Sequence, residues 1–373
     1  MADTVALQLD REDFLARYWQ REPLLLRNAL PGFTPPLDAG ELAGLAMEDE
    51  VESRIIEEAG GGWLLSHGPF GETEFHRDTP WTLLVQAVDH YVPEVAELRQ
   101  LVDFIPQWRI DDVMVSYAVD GGSVGPHYDN YDVFLLQGEG RRRWRVGQQC
   151  DATTALLPHD ELRILRDFQC RAEYVLGPGD ILYLPPGVAH WGIAEGECTT
   201  FSIGFRAPRV SDLLSRMVDA RLEGLDPQWL FTDPGRNAVS RPGEISAMDL
   251  ERARALALQA LSAECDGRWL GELVTEAGEK TCLPEPEEAP AWSEAGAAFL
   301  DDAARVAWLE QDCAVLVFAN GQSREFDGAL APAIAALCAQ RQWQRAEIET
   351  LRTSAQGEAL LDFLVQAACL YSD

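Results

Sequence analysis

The stretch GPHYDNYDVFLLQGEGRRRWRVG, residues 125–147, decides the fold of the first half of the chain. After a Gly-Pro turn, His127 and Asp129 stand two residues apart. On a strand, residues i and i+2 point to the same face, so an imidazole and a carboxylate project together. That pair is two of the three ligands that a divalent iron takes on one octahedral face. The apolar run YDVFLLQ predicts a buried strand, GEG a tight turn and RRRWRVG a returning strand. Parity sorts the arginines of that last strand. Arg142, Trp144 and Val146 share one face, and Arg141, Arg143 and Arg145 share the other. Trp144 and Val146 belong inside a barrel, which carries Arg142 inside with them.

Outward from this stretch, residues 110–206 break into short apolar or alternating runs divided by turns: DVMVSYAV, GGSVGP, AEYVLGPGD, ILYLPPGVA, HWGIAEGE and CTTFSIGFRAP. Many short strands at close spacing predict an antiparallel barrel or a double-sheet jelly roll. In a double-stranded β-helix, GPGDILYLPPGVAHW (177–191) returns a late strand beside the His127/Asp129 strand and turns His190 into the same pocket. Three ligands on one face leave three positions for a cosubstrate and dioxygen. His67, His76, His90 and His159 have no partners at ligand spacing and read as surface or structural residues.

A buried arginine needs an anion. The far carboxylate of 2-oxoglutarate, gripped by the two-pronged guanidinium, is one candidate for Arg142; a protein carboxylate is the other. Ser116 and Thr200, on neighbouring strands, are polar supports for that site or satisfied core hydroxyls.

The flanks are more helical. Asp10 caps a helix over residues 10–19 with Phe14, Leu15 and Tyr18 as its apolar stripe. REPLLLRNAL predicts a strand, Asp38–Met47 a small helix, GGGWLLSHGPF a glycine turn into a strand, and residues 79–103 a helix pair with Pro93 in the first turn of the second. Beyond Pro208, SDLLSRMVDARLEGL and MDLERARALALQALSAE have apolar residues at helical spacing. Residues 279–296 are rich in Pro, Glu and Ala and predict an exposed linker. The tail alternates strand-like and helical pieces, as in a small α+β domain.

The chain has 373 residues, 47% of them hydrophobic and 25% charged, which excludes a disordered or fibrous protein and predicts two or three domains. Its 30 basic and 62 acidic side chains give a net charge of −32, and Lys280 is the sole lysine. Such a charge repels a phosphate backbone and favours basic partners, so no direct nucleic-acid binding is expected. The acidity serves either solubility or steering. No apolar run approaches about 18 residues, so no membrane segment is expected, and the N-terminus lacks a secretory pattern. Eight scattered cysteines without a CxxC predict reduced thiols and a cytoplasmic protein.

The HxD at 127–129, the run GDILYLPPGVAH ending at His190 and the strand QGEGRRRWRV closely resemble the JmjC-type ribosomal oxygenases. Among these, they are most similar to the bacterial enzymes that hydroxylate an arginine of a large-subunit ribosomal protein. ELAGLAMEDEVESR, LLSHGPF, WTLLVQAVDH, WRIDDVMVSYAV and IGFRAP extend the resemblance over most of residues 1–210. It implies an α+β chain: a double-stranded β-helix (cupin/JmjC) barrel over 1–208, a helical dimerisation module over 209–278, and a linker with a winged-helix-like domain over 279–373. It further implies Fe(II) on His127, Asp129 and His190, with 2-oxoglutarate on Arg142, the residue that parity selects independently. Dioxygen, a basic ribosomal protein as substrate, and a homodimer complete the expectation. Tyr128 and Asn130 are placed at the pocket mouth. Asp120 is a candidate acceptor for the substrate guanidinium, a solvated turn aspartate being the other reading. The alternatives are a JmjC oxygenase acting on histidine or removing methyl groups, and a non-catalytic winged-helix binding protein. The intact triad argues against the latter.

Overall fold

Alternation along Ile110–Ala118 shows how the barrel is assembled. Val113 and Val115 are buried in a core shared with Phe14, Phe134, Phe201 and Phe205, while Ser116 is buried on the opposite face. The computed structural model describes residues 7–238, 240–262, 266–278 and 296–372. Lys280, Cys265, Cys282 and all but Gly296 of the expected linker lie outside them. The chain falls into two compact units that part at Ala207 and Pro208.

The first unit holds, in order, α1 (Arg11–Arg17), β1 (Leu24–Leu26), α2 (Ala39–Leu45), β2 (Ser53–Ala59), β3 (Gly62–His67), β4 (Trp81–Val85), α3 (Pro93–Ala96) and β5 (Ile110–Ala118). There follow β6 (Val133–Gln137), β7 (Arg141–Gln149), β8 (Ala172–Leu176), β9 (Ile181–Leu184), β10 (Val188–Glu195) and β11 (Cys198–Phe205). An eight-stranded sheet has the order β1-β9-β6-β11-β5-β4-β2-β3, and a smaller sheet has the order β10-β7-β8. The extended segment 121–129 lines the free edge of β10 through bonds between Gly121, Gly122 and Ala194 and between His127 and His190. Val133, Leu135, Leu182 and Leu184 of the large sheet share one apolar cluster with Trp144, Val146, Leu176 and Val188 of the small one. The two layers therefore close face to face as a double-stranded β-helix.

Several local expectations change. Trp81–Val85 is a strand, not the first of two helices; all five residues are buried, and a stretch buried on both faces carries no clean alternation to distinguish strand from helix. Pro93 does open a helix, but of one turn. Asp10 caps α1 as expected and Asp38 caps α2, whereas Leu15 is exposed and Phe14 alone of α1 is buried. His127 and Asp129 lie on an extended connection with an isolated bridge, outside any regular strand.

The second unit holds α4 (Val210–Glu223), α5 (Ala247–Ser262), α6 (Arg268–Thr275), β12 (Ala297–Leu300), β13 (Val306–Gln311), β14 (Ala314–Ala319), β15 (Gln322–Asp327), α7 (Ala331–Gln340), β16 (Gln342–Gln344), α8 (Arg345–Leu351), α9 (Ala355–Gln366) and β17 (Leu370–Ser372). A meander β13-β14-β15 and a sheet β16-β12-β17 enclose a core that includes Trp343, Leu337 and Leu360. Gly271 of α6 lies against the Phe318 ring, where a Cβ would clash. Among the described residues no helix is long and apolar enough to cross a membrane, and no disulfide is formed.

One buried knot fixes the end of the segment that carries the ligands. The Asp132 carboxylate, fully buried, accepts from the Tyr183 hydroxyl at 2.5 Å and from Gln20 Nε2 at 3.0 Å. Burial pushes this carboxyl above its usual range. The Tyr183 oxygen also accepts from the Gln20 backbone N–H at 2.8 Å. Tyr183→Phe strips one donor from a buried carboxylate and is expected to cost about 1–3 kcal/mol in urea unfolding; an unchanged midpoint would contradict this.

Candidate metal centre

Backbone pairing assembles the centre. His127 N–H donates to the His190 carbonyl at 3.0 Å, and His190 N–H returns to the His127 carbonyl at 2.8 Å. The chain enters through Gly125, at φ +79°, where a Cβ would meet Ile164 at 2.8 Å and the Trp63 ring at 3.0 Å. One ligand atom from each of His127, Asp129 and His190 lies within 4.8 Å of the others, and no other such group occurs among the described residues. His190 Nε2 stands 3.5 Å from Asp129 Oδ2.

Both imidazoles are oriented by the carbonyl two residues earlier. His127 Nδ1 lies 2.9 Å from Gly125 O, and His190 Nδ1 lies 3.0 Å from Val188 O. Donation from each Nδ1–H leaves the Nε2 lone pair for a cation. Burial, with His127 adding to it, pushes His190 down to about 4, so its ring is neutral near pH 7. Two imidazoles and one carboxylate are a donor set for a divalent transition metal.

Arg142 lies where parity places it. The arginine is 4% exposed, and β7 alternates buried Arg142, Trp144 and Val146 with more exposed Arg141, Arg143 and Arg145. Its Nη1 donates to Ser116 Oγ at 3.3 Å, while Nε and Nη2 are buried with no partner among the described residues. Ser116, Thr200 and Gln137 stand side by side in register on β5, β11 and β6, all buried. Thr200 Oγ1 and Gln137 Oε1 are likewise without partners. Trp144 lies between the two groups, its ring 5.7 Å from the Arg142 guanidinium and 5.9 Å from the His190 ring. Gly192 makes room for it, since a Cβ there would meet the indole at 2.8 Å.

Asp120 is not brought to the triad. It is exposed, and its Oδ1 accepts from Gly196 N–H at 2.7 Å, in the turn after β10. Gly196 is six residues along the chain from His190, about 20 Å of extended strand. Tyr128 also departs from expectation: it is buried with Cys150, Leu165 and Ala189 instead of lining a mouth. Of the other histidines, exposed His67 pairs with Glu161 at 2.8 Å, and His159 Nδ1 accepts two backbone N–H groups in a turn.

A second group on the barrel's inner face was not singled out from the sequence. Met114 pairs with Ser202, one step along from the Ser116–Thr200 pair, and Asp112 lies against Gly204 one step further. Tyr131 is 43% exposed, and the charge of Asp129, then burial, then Asp112 push its hydroxyl upward. Parity through DDVMVSYAV and CTTFSIGF, extended outward from Ser116 and Thr200, would have found Asp112, Met114 and Ser202.

Known proteins share this architecture. The JmjC domain model matches residues 97–213, and the ROXA-like winged helix model matches residues 252–371. The ribosomal protein uL16 3-hydroxylase of Escherichia coli is 39% identical over 282 residues, 75% of each chain. A probable ribosomal oxygenase of Haemophilus influenzae is 34% identical over 340 residues, 83% of this chain and 81% of that one. The solved structure of YcfD, a ribosomal oxygenase from E. coli, in complex with cobalt and 2-oxoglutarate, superposes with a TM-score of 0.84 at 34% identity over 99% of both chains. The fold and site thus define a 2-oxoglutarate-dependent oxygenase with a JmjC barrel and a winged-helix unit. This chain belongs to the JmjC-domain ribosomal oxygenase family.

Asp129→Ala removes the one anionic ligand. Cobalt(II) titration, followed by visible absorption, is expected to give a saturable band with the native chain and none with the variant; a variant band of equal strength would refute the ligand assignment.

Proposed function

We propose that the chain is an Fe(II)- and 2-oxoglutarate-dependent hydroxylase of an arginine side chain in ribosomal protein uL16, the protein named for its E. coli relative. The observation that carries this reading is the buried Arg142 guanidinium, whose Nε and Nη2 have no partner among the described residues, beside a three-ligand metal face. Those residues fit the absent groups. His127, Asp129 and His190 would hold Fe(II), and Arg142 would hold the far carboxylate of 2-oxoglutarate. When bound, iron, 2-oxoglutarate and dioxygen together supply the oxidation, converting the keto acid to succinate and carbon dioxide while one oxygen atom enters the substrate.

The chain's own share is geometry. Arg142 presents Nε and Nη2 as a two-pronged donor, Ser116 fixes its third nitrogen, and Thr200 supplies a hydroxyl alongside. Trp144 fills the space between that clamp and His190 and excludes water. Toward the other end, Asp112, whose Oδ2 already accepts from the Ala87 N–H at 2.8 Å, would add negative charge toward a substrate guanidinium, with Ser202, Met114 and Tyr131 around its alkyl chain. Asp120 is left to the turn that it caps.

A uL16 peptide containing the target arginine is expected to gain one oxygen atom when incubated with the protein, iron and 2-oxoglutarate. Arg142→Met is expected to raise the KM for 2-oxoglutarate roughly 10- to 100-fold, the loss of one or two charged hydrogen bonds. Modification of a histidine peptide instead, or an unchanged KM, would overturn the respective assignment.

The chain is further proposed to form a homodimer through residues 209–278. Val210, Leu214 and Leu222 on α4 and Leu250 and Leu258 on α5 are all at least half exposed, more apolar surface than a connector needs. Light scattering is expected to give twice the chain mass, and Leu214→Glu to shift it toward one; a native monomer at micromolar concentration would contradict the proposal.

A further inference from the structure

The residues next to both histidine ligands point away from the metal face, and both are held by the connection between β7 and β8. Within it, Leu156 and Leu165 form a bridge, and Leu157 N–H donates to Ile164 O, so residues 155–166 make a small hairpin. Its returning arm is bonded to the ligand segment: Leu165 N–H donates to the Pro126 carbonyl at 2.8 Å. Tyr128, between His127 and Asp129, is 6% exposed and packs with Leu165, Cys150 and Ala189. Its hydroxyl donates to the Asp151 carbonyl at 2.7 Å and accepts from Arg163 Nη2 at 3.1 Å, with the same guanidinium 5.6 Å from its ring. Trp191, next to His190, stacks edge-on against Phe168 at 5.9 Å, and its Nε1 donates to Ser123 at 2.9 Å.

We propose that residues 150–171 brace the metal sheet from behind, and that Tyr128, tied by its hydroxyl to Asp151 and Arg163, is a positioning residue for His127 and Asp129. The segment that bears these two ligands is an edge with an isolated bridge, not a regular strand, so ladder bonds alone do not fix it. A roll of the extended segment about its own axis swings His127 and Asp129, which share the face opposite Tyr128, together. Anchoring that one ring therefore sets both. The inference rests on the metal-site half of the proposed function and is independent of the substrate.

The test uses cobalt(II) alone with the metal-free full chain. Tyr128→Phe keeps the ring and loses the hydroxyl. Cobalt(II) is expected to bind about 3- to 10-fold more weakly, with a shifted visible band, a step below the 10–100-fold typical of groups that touch a ligand directly. The metal-free Tm is expected to fall by no more than about 4 °C, the loss of ordinary hydrogen bonding. Arg163→Met is expected to weaken cobalt in the same direction, and Arg163→Lys to recover part of the loss. Glu161→Gln, which breaks the pair with His67 at the hairpin tip, is expected to leave cobalt affinity unchanged. Unchanged affinity and band in Tyr128→Phe would overturn the proposal. So would a larger fall in metal-free Tm with a native cobalt spectrum. Should Tyr128→Phe fail to fold, Arg163→Met decides by the same readouts. Failure of the native chain to bind cobalt at all would instead sink the metal site itself.

Discussion

One buried charge constrains the rest of the barrel. Arg142 is held at 4% exposure by the alternation of β7, and no ion pair to it occurs among the described residues. Burying an uncompensated cation costs several kcal/mol, so a fold that keeps one inside must gain an anion from elsewhere or lose stability. The neighbouring side chains are arranged for such a guest. Ser116 takes one nitrogen, while Thr200 and Gln137 stand in the same row with oxygens of their own still unbonded. An apolar half of the same interior, from Val133 to Val188, closes the two sheets and keeps water from solvating the guanidinium instead.

The metal face follows from the same strand pairing. His190 lies opposite Val146, and Gly192 opposite Trp144, so the parity that buries Arg142 also turns His190 inward. The reciprocal His127–His190 bonds then fix the height of the first histidine, and Asp129 follows two residues on along the same extended connection. Clamp and ligands are thus two consequences of one register. A one-residue slip of β10 against β7 would move His190 outward.

Sequence reading reaches far where chemistry and periodicity agree. The arginine run resolves because Trp144 and Val146 mark the inner face, and the triad resolves because His190 follows a strand bounded by Gly/Pro turns. It fails where periodicity is silent. Trp81–Val85 is buried on both faces and cannot announce whether it is helix or strand. The substrate reading of Asp120 and the mouth placement of Tyr128 fail for a different reason, while the turn reading of Asp120 holds. Both stand beside informative residues, but their directions depend on tertiary partners, Gly196 for one and Asp151 with Arg163 for the other. Asp112 was within reach of parity, two steps beyond Ser116, yet nothing in its own neighbourhood of sequence marks it.

The acidity gains a local focus. Asp129, Asp112 and Asp111 all raise the Tyr131 hydroxyl against the opposing charge of Arg54, which puts three carboxylates and one guanidinium within electrostatic reach of one exposed side chain beside the metal ligands. The excess of carboxylates there suits the basic substrate proposed above. The most direct measurement of the central assignment is a crystal structure of the cobalt(II)-loaded protein with 2-oxoglutarate. The far carboxylate should lie within hydrogen-bond distance of Arg142 Nε or Nη2, with the metal on His127, Asp129 and His190. A cosubstrate bound elsewhere, with Arg142 turned onto a protein carboxylate, would contradict it.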